Sequence, residues 1–298
     1  MSREPVVDHV ATTWSDLDTA VATFEDLGLA PEYGGEHGDG GTEMSMVCFQ
    51  DGSYLEFVSA ADSVDRPDRW PEGIENDAGP YSWATEVGSV LGHLSRAMEM
   101  GHPVAGPFES SREPSEGHRT EFDYGWVGTR ETRGLLPFPI DDRTPRRYRA
   151  SPTESVVRAP VSGIGAVVLA VESLDRTEIF REFYRFPTAD VRHDAERGID
   201  VASFAGRTVT LVSPAEGVGS DPREAPGRPE RGPTGEWLQR RLDRWGERIC
   251  GVLLRTGDPS AVQHRFPLTE REPWCRGTIS WVDDDRVGRW IGVVEPGN

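Results

Sequence analysis

The sequence predicts an α+β fold built from four βαβββ units that associate in two pairs. Three observations lead to this prediction. The same order of patterns, a strand, an amphipathic helix and three short strands, recurs along the 298 residues. Turn dipeptides such as Asp51-Gly52, a strong hairpin signal, separate the short strands. A stretch rich in Arg, Pro and Ser at 143–160 separates the second unit from the third, as expected of a linker.

The first unit shows the pattern most clearly. Residues 6–12 are rich in Val and follow Pro5, which predicts a strand. Ser15, with Asp18 three residues later, matches a capping box and predicts that a helix starts at Ser15. Apolar residues then recur at helical spacing, and Gly28 suits the end of this helix. Three short strands are predicted at 31–35, 42–50 and 53–60.

The other units repeat this order. The second has predicted strands at 81–86, 103–106, 119–127 and 135–140. The third begins at 163–171 and closes at 208–213, and the fourth contains strands at 249–255, 274–282 and 290–294. Because one such unit cannot bury its own sheet face, repeats of this period are expected to pair. We therefore expect two domains, residues 1–145 and 161–298, joined by a linker at 146–160.

Two segments lie outside this repeat. The insertion at 214–235 is dense in Gly, Pro, Glu and Arg, which predicts a mobile loop. The helix predicted after it carries Trp237, Leu238, Leu242 and Trp245 on one face. Packing of this helix against the second domain is the favoured interpretation, and a contact in a homodimer is the alternative.

Charge and composition exclude several classes of function. The formal net charge is −19, which opposes nucleic acid and anionic membrane as partners. All 32 basic residues are Arg, so no lysine can form a Schiff base or serve a P-loop. The acidity suggests a halophilic host, where ions screen a dense carboxylate surface; an ordinary acidic protein from a high-GC genome is the alternative.

Cysteine usage and hydropathy predict a cytoplasmic protein. Cys48, Cys250 and Cys275 are odd in number and widely spaced, so they indicate neither a zinc knuckle nor a disulfide framework. The N-terminus lacks the apolar run of a signal peptide, and no stretch reaches the ~18 apolar residues that span a bilayer.

Several segments occur in order within the first 145 residues. They are Val7-Asp8-His9-Val10, Leu27-Gly28-Leu29, the glycine-rich stretch 34–42 around His37, Tyr54-Leu55-Glu56-Phe57-Val58, the Ser-Arg-x-x-Pro-x-Gly stretch 111–117 and Leu136-Pro137-Phe138. Together they resemble the glyoxalase-like branch of the vicinal oxygen chelate superfamily, whereas from Gly163 onward only the overall plan is similar. The resemblance implies curved mixed sheets that form a cup with helices outside.

The resemblance also implies a function. Members often bind a divalent metal that the substrate chelates through neighbouring oxygens. We therefore expect a lyase- or isomerase-type enzyme that acts on a small oxygen-rich metabolite with a divalent metal ion of unknown identity. A metal-free protein that sequesters a small molecule in the same fold is the alternative.

His9 and Glu56 are, by this resemblance, the metal-ligand candidates of the first unit. Strand alternation independently places Tyr54, Glu56 and Val58 on one face, opposite Leu55. A carboxylate on an inward face needs a partner, a metal or a perturbed pKa. Glu56 could instead act as a general base, and His9 could be a strand histidine bonded to the backbone.

Other candidates are assigned by residue type. His37 is the second catalytic candidate, expected near the cup mouth, or else a surface histidine. Arg112 is expected to bind a carboxylate or phosphate of the substrate, or else to pair with a surface carboxylate. Tyr54 and Trp83 are expected to line the pocket, although aromatic residues on strands are more often core.

The remaining units depart from the metal-binding pattern. The second unit offers no His in 81–86 and no carboxylate in its last strand before Asp141. In the third unit, alignment places Ala166 at the position of His9 and Thr210 at that of Glu56. We therefore expect one active cup, in the first domain.

Overall fold

The computed structural model describes residues 6–37, 41–112, 119–129, 132–219, 227, 232–275 and 277–295. Two eight-stranded mixed sheets make up the fold, and both have the same strand order. The first runs β2-β3-β4-β1-β5-β8-β7-β6, and the second runs β10-β11-β12-β9-β13-β16-β15-β14. In each sheet the first strands of two βαβββ units pair antiparallel at the centre. The predicted α+β fold of four paired units is therefore confirmed.

The first sheet and its helices, here called the first module, are built from the N-terminal half of the chain. Its elements are β1 (Val6–Thr13), α1 (Leu17–Asp26), β2 (Glu32–Glu36), β3 (Thr42–Cys48), β4 (Tyr54–Ala60), α2 (Pro71–Glu75), β5 (Gly79–Glu86), α3 (Val90–Glu99), β6 (Val104–Arg112), β7 (Thr120–Val127) and β8 (Phe138–Asp142).

The second sheet and its helices, the second module, follow in the same way. Its elements are β9 (Gly163–Ala170), α5 (Thr177–Phe183), β10 (Ala189–Asp194), β11 (Ile199–Phe204), β12 (Val209–Pro214), α6 (Gly235–Trp245), β13 (Arg248–Arg255), α7 (Pro259–Arg265), β14 (Glu272–Trp274), β15 (Gly277–Trp281) and β16 (Ile291–Val294). Half of the insertion predicted as a mobile loop, namely 220–226 and 228–231, lies outside the described residues.

The first helix begins one residue later than its capping pattern predicts. Asp16 is the N-cap, and its carboxylate accepts hydrogen bonds from the backbone N–H groups of Asp18 and Thr19. Ser15 instead donates its backbone N–H and its hydroxyl to Asp77. A carboxylate is a strong acceptor at the positive end of a helix, so Asp16 takes the role that the Ser15 pattern suggested.

The segment between the modules is packed against the first sheet. It contains a 3₁₀ turn (Arg146–Tyr148) and the short helix α4 (Glu154–Val157). Arg149 is only 3% exposed, and the hydroxyl of Thr153 accepts a hydrogen bond from the backbone N–H of Cys48. These residues therefore contribute to the interior of the first module instead of forming an exposed connection.

One apolar core joins the two modules. It contains Val10 and Leu55 of the first sheet together with Val167 and Leu211 of the second. The alternation along β4 is as predicted, because Leu55 enters this core whereas Tyr54 and Glu56 face the other side of the sheet. The other face of each sheet is the inner face of a cup. Among the described residues, no helix is long and apolar enough to cross a membrane.

Candidate functional site

The cup of the first module contains a cleft of about 580 Å³, part of which is open to solvent. Polar side chains line one part of it and aromatic side chains the other. Its walls include His9, Glu36, His37, Met44, Tyr54, Glu56, Arg69, Trp70, Ser110, Ser111, Arg112, Phe122, Tyr124, Phe138, Ile140 and Arg149. Five of the six site residues predicted from sequence therefore line this cleft: His9, His37, Tyr54, Glu56 and Arg112.

Trp83 lies elsewhere. It is buried in the core shared by the two modules, and its indole N–H donates to the backbone carbonyl of Leu135 at 3.1 Å. Its neighbour Ala84 packs on the cup side of β5 with Phe138 and Ile140. Since successive side chains on a strand point to opposite faces, Trp83 packs on the core side, away from the cleft.

His9 is held at the floor of the cup from two sides. Its Nδ1 lies 2.6 Å from Oδ1 of Asp8, and its ring stacks on Tyr54 with 4.5 Å between ring centroids. Asp8 is buried, and burial raises the pKa of its carboxyl group. The charge of Arg149 and the hydrogen bonds from His9 and Arg149 outweigh burial and lower this pKa well below the ordinary value. The ionised Asp8 accepts a hydrogen bond from Nδ1–H of His9, which leaves Nε2 directed at Glu56.

Glu56 lies between two imidazole rings. One carboxylate oxygen is 3.9 Å from Nε2 of His9, and the other is 3.5 Å from Nε2 of His37. Burial raises the pKa of Glu56, but the His37 hydrogen bond and the charges of His9, His37 and Arg69 outweigh it and lower the pKa to about 2. The carboxylate is therefore ionised although it is only 5% exposed.

His37 reaches this group from the end of the β2–β3 hairpin. Its backbone N–H donates to the carbonyl of Thr42 at 2.8 Å, and its Nδ1 lies 2.9 Å from the Thr42 hydroxyl. These two contacts orient the ring so that Nε2 points toward Glu56. The neighbouring residues 38–40 of the glycine-rich stretch lie outside the described part of the chain.

Arg149 is a site residue that the sequence reasoning missed. Its guanidinium donates to both carboxylate oxygens of Asp8 at 2.9 Å and to the Tyr54 hydroxyl at 2.8 Å, and it also pairs with Asp142. Asp8 and Tyr54 are the two groups that hold His9. A signal existed in the sequence, because an Asp inside a Val-rich strand needs a cationic partner once that strand is buried.

Arg112, the last residue of β6, is buried in the wall of the cleft. Its Nη2 donates to the backbone carbonyl of Arg149 at 3.0 Å, whereas its Nη1 contacts only the sulfur atoms of Met44 and Met46, at 3.6 and 3.8 Å. The surface ion pair considered as an alternative for Arg112 does not form with any described residue. The stretch 113–118, which completes its sequence motif, lies outside the described residues.

The second unit of the first module offers apolar side chains where the first unit offers ligands. His9 pairs in register with Tyr54, two residues before Glu56. Ala84 pairs with Phe138 in the same way, two residues before Ile140. Ala84 and Ile140 thus correspond to His9 and Glu56. Within the described part of the chain, no three His, Cys, Asp or Glu side chains form a group that could hold a metal ion.

The cup of the second module is closed. Register places Val168 opposite Thr210, as Ala11 lies opposite Glu56, so Ala166 and Thr210 take the positions of His9 and Glu56. Helix α6 covers this face, with Trp237, Leu238 and Leu242 packed on it. The interpretation that this helix packs within the chain is confirmed, and it explains why this sheet needs no charged side chains at those positions.

Comparison with known proteins gives a family and a fold. The profile of the glyoxalase-like domain family matches residues 7–180. None of the curated protein sequences matches the chain. Similar solved structures include a hypothetical protein from Staphylococcus aureus, with 10% identity, a TM-score of 0.61 and coverage of 97% of this chain and 99% of that one.

Two further structures have titles that name an activity. A mutant of 4-hydroxymandelate synthase from Streptomyces coelicolor has 13% identity and a TM-score of 0.56, covering 98% of this chain and 92% of that one. The Mn(II)-bound glyoxalase from Novosphingobium aromaticivorans has 12% identity and a TM-score of 0.56, covering 99% and 83%. At such identities these similarities support the fold alone.

Proposed function

The chain belongs to the glyoxalase-like domain family of the vicinal oxygen chelate superfamily, and on that premise we propose that its first cup is the active site of a lyase- or isomerase-type enzyme. The substrate is a small oxygen-rich metabolite. In this proposal His9 and Glu56 hold a divalent metal ion. His37 and Glu56 are the catalytic residues. Arg112 and Tyr54 bind the substrate.

One observation carries this proposal, namely that two imidazole nitrogens and one carboxylate face one another in a buried place. Nε2 of His9 is directed at the Glu56 carboxylate because its Nδ1–H is given to Asp8. Nε2 of His37 faces the other oxygen of the same carboxylate. Acceptors that face each other are stable only with a proton or a cation between them. The cup is therefore built to hold a positive charge at this point.

The donor types suit a divalent metal. His9 and Glu56 offer an imidazole nitrogen and a carboxylate, which are ligand types that such ions take, and Asp8 supports His9 from behind as partners of metal-bound histidines do. The described residues supply no third side chain that completes a metal site, so the other positions on the ion would be left to water or to substrate oxygens. A bound metal would supply Lewis-acid polarisation of a substrate carbonyl.

The chain's own residues act around that point. Asp8 and Arg149 fix the ring of His9, and Thr42 fixes the ring of His37. His37, at the end of a hairpin, is placed to accept or return a proton at Nε2. The apolar side chains of the cleft, among them Phe122, Phe138 and Ile140, exclude water from the substrate.

Metal titration tests the proposal. Metal-depleted full-length protein is titrated with Mn²⁺ and with Zn²⁺ by calorimetry, and the bound ion is counted by elemental analysis. Wild type is expected to bind one ion, and Glu56→Gln, which keeps the shape but loses the charge, is expected to lose it. Thr210→Ala, at the matching position of the second sheet, is the control and is expected to bind like wild type.

The outcomes separate two functions. If neither ion binds wild type, or if Glu56→Gln binds as well as wild type, the metal-assisted proposal is wrong. The second candidate function is metal-free binding of a small molecule for sequestration. It is favoured by Ala84 and Ile140, apolar residues at the positions that correspond to His9 and Glu56. Ligand binding that is unaffected by a chelator and is followed by no turnover would support this second function.

A further inference from the structure

We propose that the ligand of the first cup is a monocarboxylate with an apolar body, and that its carboxylate binds the guanidinium of Arg112. This inference rests on the proposed function only in taking the cup as the binding site. It concerns Arg112 and the wall beside it, and it does not require a metal.

The hydrogen bonding of Arg112 is incomplete. A guanidinium has five N–H donors. Among the described residues, one nitrogen donates to a backbone carbonyl, another meets two thioether sulfurs, which are weak acceptors, and Nε has no hydrogen-bond partner. Arg112 is nevertheless only 7% exposed, so most of these donors are removed from bulk solvent.

Its charge is also unpaired. No described Asp or Glu lies within 4.0 Å of the Arg112 guanidinium, although the chain has 51 acidic residues. Arg149, the other buried arginine of the cleft, pairs with both Asp8 and Asp142. A buried cation without a counter-ion is unfavourable. Since no described carboxylate supplies that counter-ion, Arg112 fits the anionic group of a ligand.

The surroundings indicate one negative charge on a planar group. Glu36 and Glu56 also line the cleft, so a dianion bound beside Arg112 would bring excess negative charge into a partly buried space. A carboxylate carries one charge, and its two oxygens match the flat fork of a guanidinium.

The rest of the cleft fits an apolar body. An apolar cluster on the strands of the second unit contains Phe122, Phe138 and Ile140. Phe138 also contacts the ring of His9 edge-on, with 5.3 Å between the ring centroids. A ligand whose carboxylate lies on Arg112 can thus place an apolar part against these rings.

Matched probes test the inference. Full-length protein is titrated with phenylacetate, with its neutral analogue phenylacetamide and with phenyl phosphate, at constant ionic strength and with EDTA present. Binding is followed by the melting temperature and by NMR. Phenylacetate is expected to bind saturably and to raise the melting temperature, and the other two are expected to bind more weakly.

Variants locate the binding group. Arg112→Met, which fits beside Met44 and Met46, is expected to weaken phenylacetate binding by about 10- to 100-fold. It is also expected to melt at a higher temperature than wild type without ligand, because an unpaired buried charge is removed. Arg112→Lys keeps the charge without the fork and is expected to bind less tightly than wild type. Arg66→Met, at an exposed ion pair, is the control.

Several results would overturn the inference. With wild type, these results are no binding of phenylacetate, binding of phenylacetamide as tight as that of phenylacetate, or tighter binding of phenyl phosphate. With the variants, the contradicting result is phenylacetate binding by Arg112→Met that equals that of wild type. If Arg112→Met does not fold, the same comparison is made with Arg112→Lys. Since all these measurements are made with chelator, a failure of metal binding leaves them interpretable, and the metal titration with Glu56→Gln is in turn independent of Arg112.

Discussion

Two sheets with the same strand order have opposite interiors in this protein. The cup of the first sheet is a cleft that ends in ionised Glu56, between His9 and His37. The cup of the second sheet is filled by α6, and Ala166 and Thr210 stand at the corresponding positions. The comparison teaches that the fold provides a concave surface, while the residues at two register positions and one added helix decide whether that surface can bind a ligand.

Buried arginines show the same contrast. Arg149 of the first cup pairs with carboxylates, and although burial lowers its pKa, the charge of Asp8 and the hydrogen bonds to Asp8 and Asp142 outweigh burial and raise it. Arg241, on α6, donates to the backbone carbonyls of Ala78, Pro80 and Ile249, and burial lowers its pKa to about 10. One arginine positions a site, whereas the other fastens the helix that closes a cup.

Activity is expected to show the largest difference between the cups. Glu56→Gln should lower the activity of the protein on its substrate by about 10²- to 10⁴-fold, because it removes an anionic group that serves the reaction. Thr210→Ala should leave activity nearly unchanged. The measurement is the turnover rate of both variants, with folding checked by circular dichroism. A folded Thr210→Ala variant without activity would mean that the second cup takes part in catalysis.

The arginine contrast should appear in stability. Arg149→Met leaves Asp8 buried without its main partner and is expected to lower the free energy of unfolding by about 3–5 kcal/mol. Arg241→Met removes hydrogen bonds to carbonyls, with no carboxylate left behind, and should cost about 1–3 kcal/mol. Urea unfolding of both variants measures the difference. Equal losses would show that Asp8 does not depend on Arg149 for its charge.

Opening the closed cup should cost less than breaking the charged network. Leu238 is fully buried between α6 and the second sheet, so Leu238→Ala is expected to lower the free energy of unfolding by about 2–4 kcal/mol and to leave a cavity. Leu91→Ala, on the exposed face of α3, is the control and should change stability by less than about 0.5 kcal/mol. A loss as small as that of the control would mean that α6 does not pack tightly in the cup.

The smallest effect is a pH dependence that belongs to the first cup. Burial raises the pKa of Asp8, but Arg149 and His9 lower it well below the ordinary value. Ionised Asp8 therefore stabilises the fold above about pH 4, and this contribution is lost as the pH falls through the lowered pKa.

Asp8→Asn measures this contribution. We compare the free energy of unfolding of wild type with that of Asp8→Asn at each pH. The difference between the two is expected to be constant near neutral pH and to shrink in acid by at most about 1.4 kcal/mol per pH unit. A difference that grows as the pH falls would contradict the assigned ionisation of Asp8.

Local patterns in the sequence predicted much of the fold and part of the site. The strand–helix–strand order follows from hydrophobic periodicity, and the period of two predicts that Tyr54 and Glu56 share one face of β4, opposite Leu55. Strand β6 is longer than predicted, running to Arg112, because an exposed edge strand has no buried face and so no clear alternation. Ser15 was preferred over Asp16 as the cap because a capping box matched one residue early.

The missed features depend on contacts between distant residues. Arg149 reaches Asp8 across 141 positions of sequence, from a segment whose Arg, Pro and Ser content predicts only a linker. Trp83 was assigned to the pocket as an aromatic residue, although strand parity with the small residue Ala84 places it in the core. Nothing in a single strand tells which of its faces becomes the cup, since this depends on the partner sheet.

The core shared by the two modules has a consequence for cooperativity. Strand β9 lies at the centre of the second sheet, between β12 and β13, while Arg241 binds carbonyls of the first module. A fragment that ends at residue 180, where the family match stops, would keep β9 and lose both of its neighbours. Such a fragment would present an unpaired apolar strand that promotes aggregation. The whole chain should instead unfold in one transition, so that damage in either half lowers the melting temperature of both.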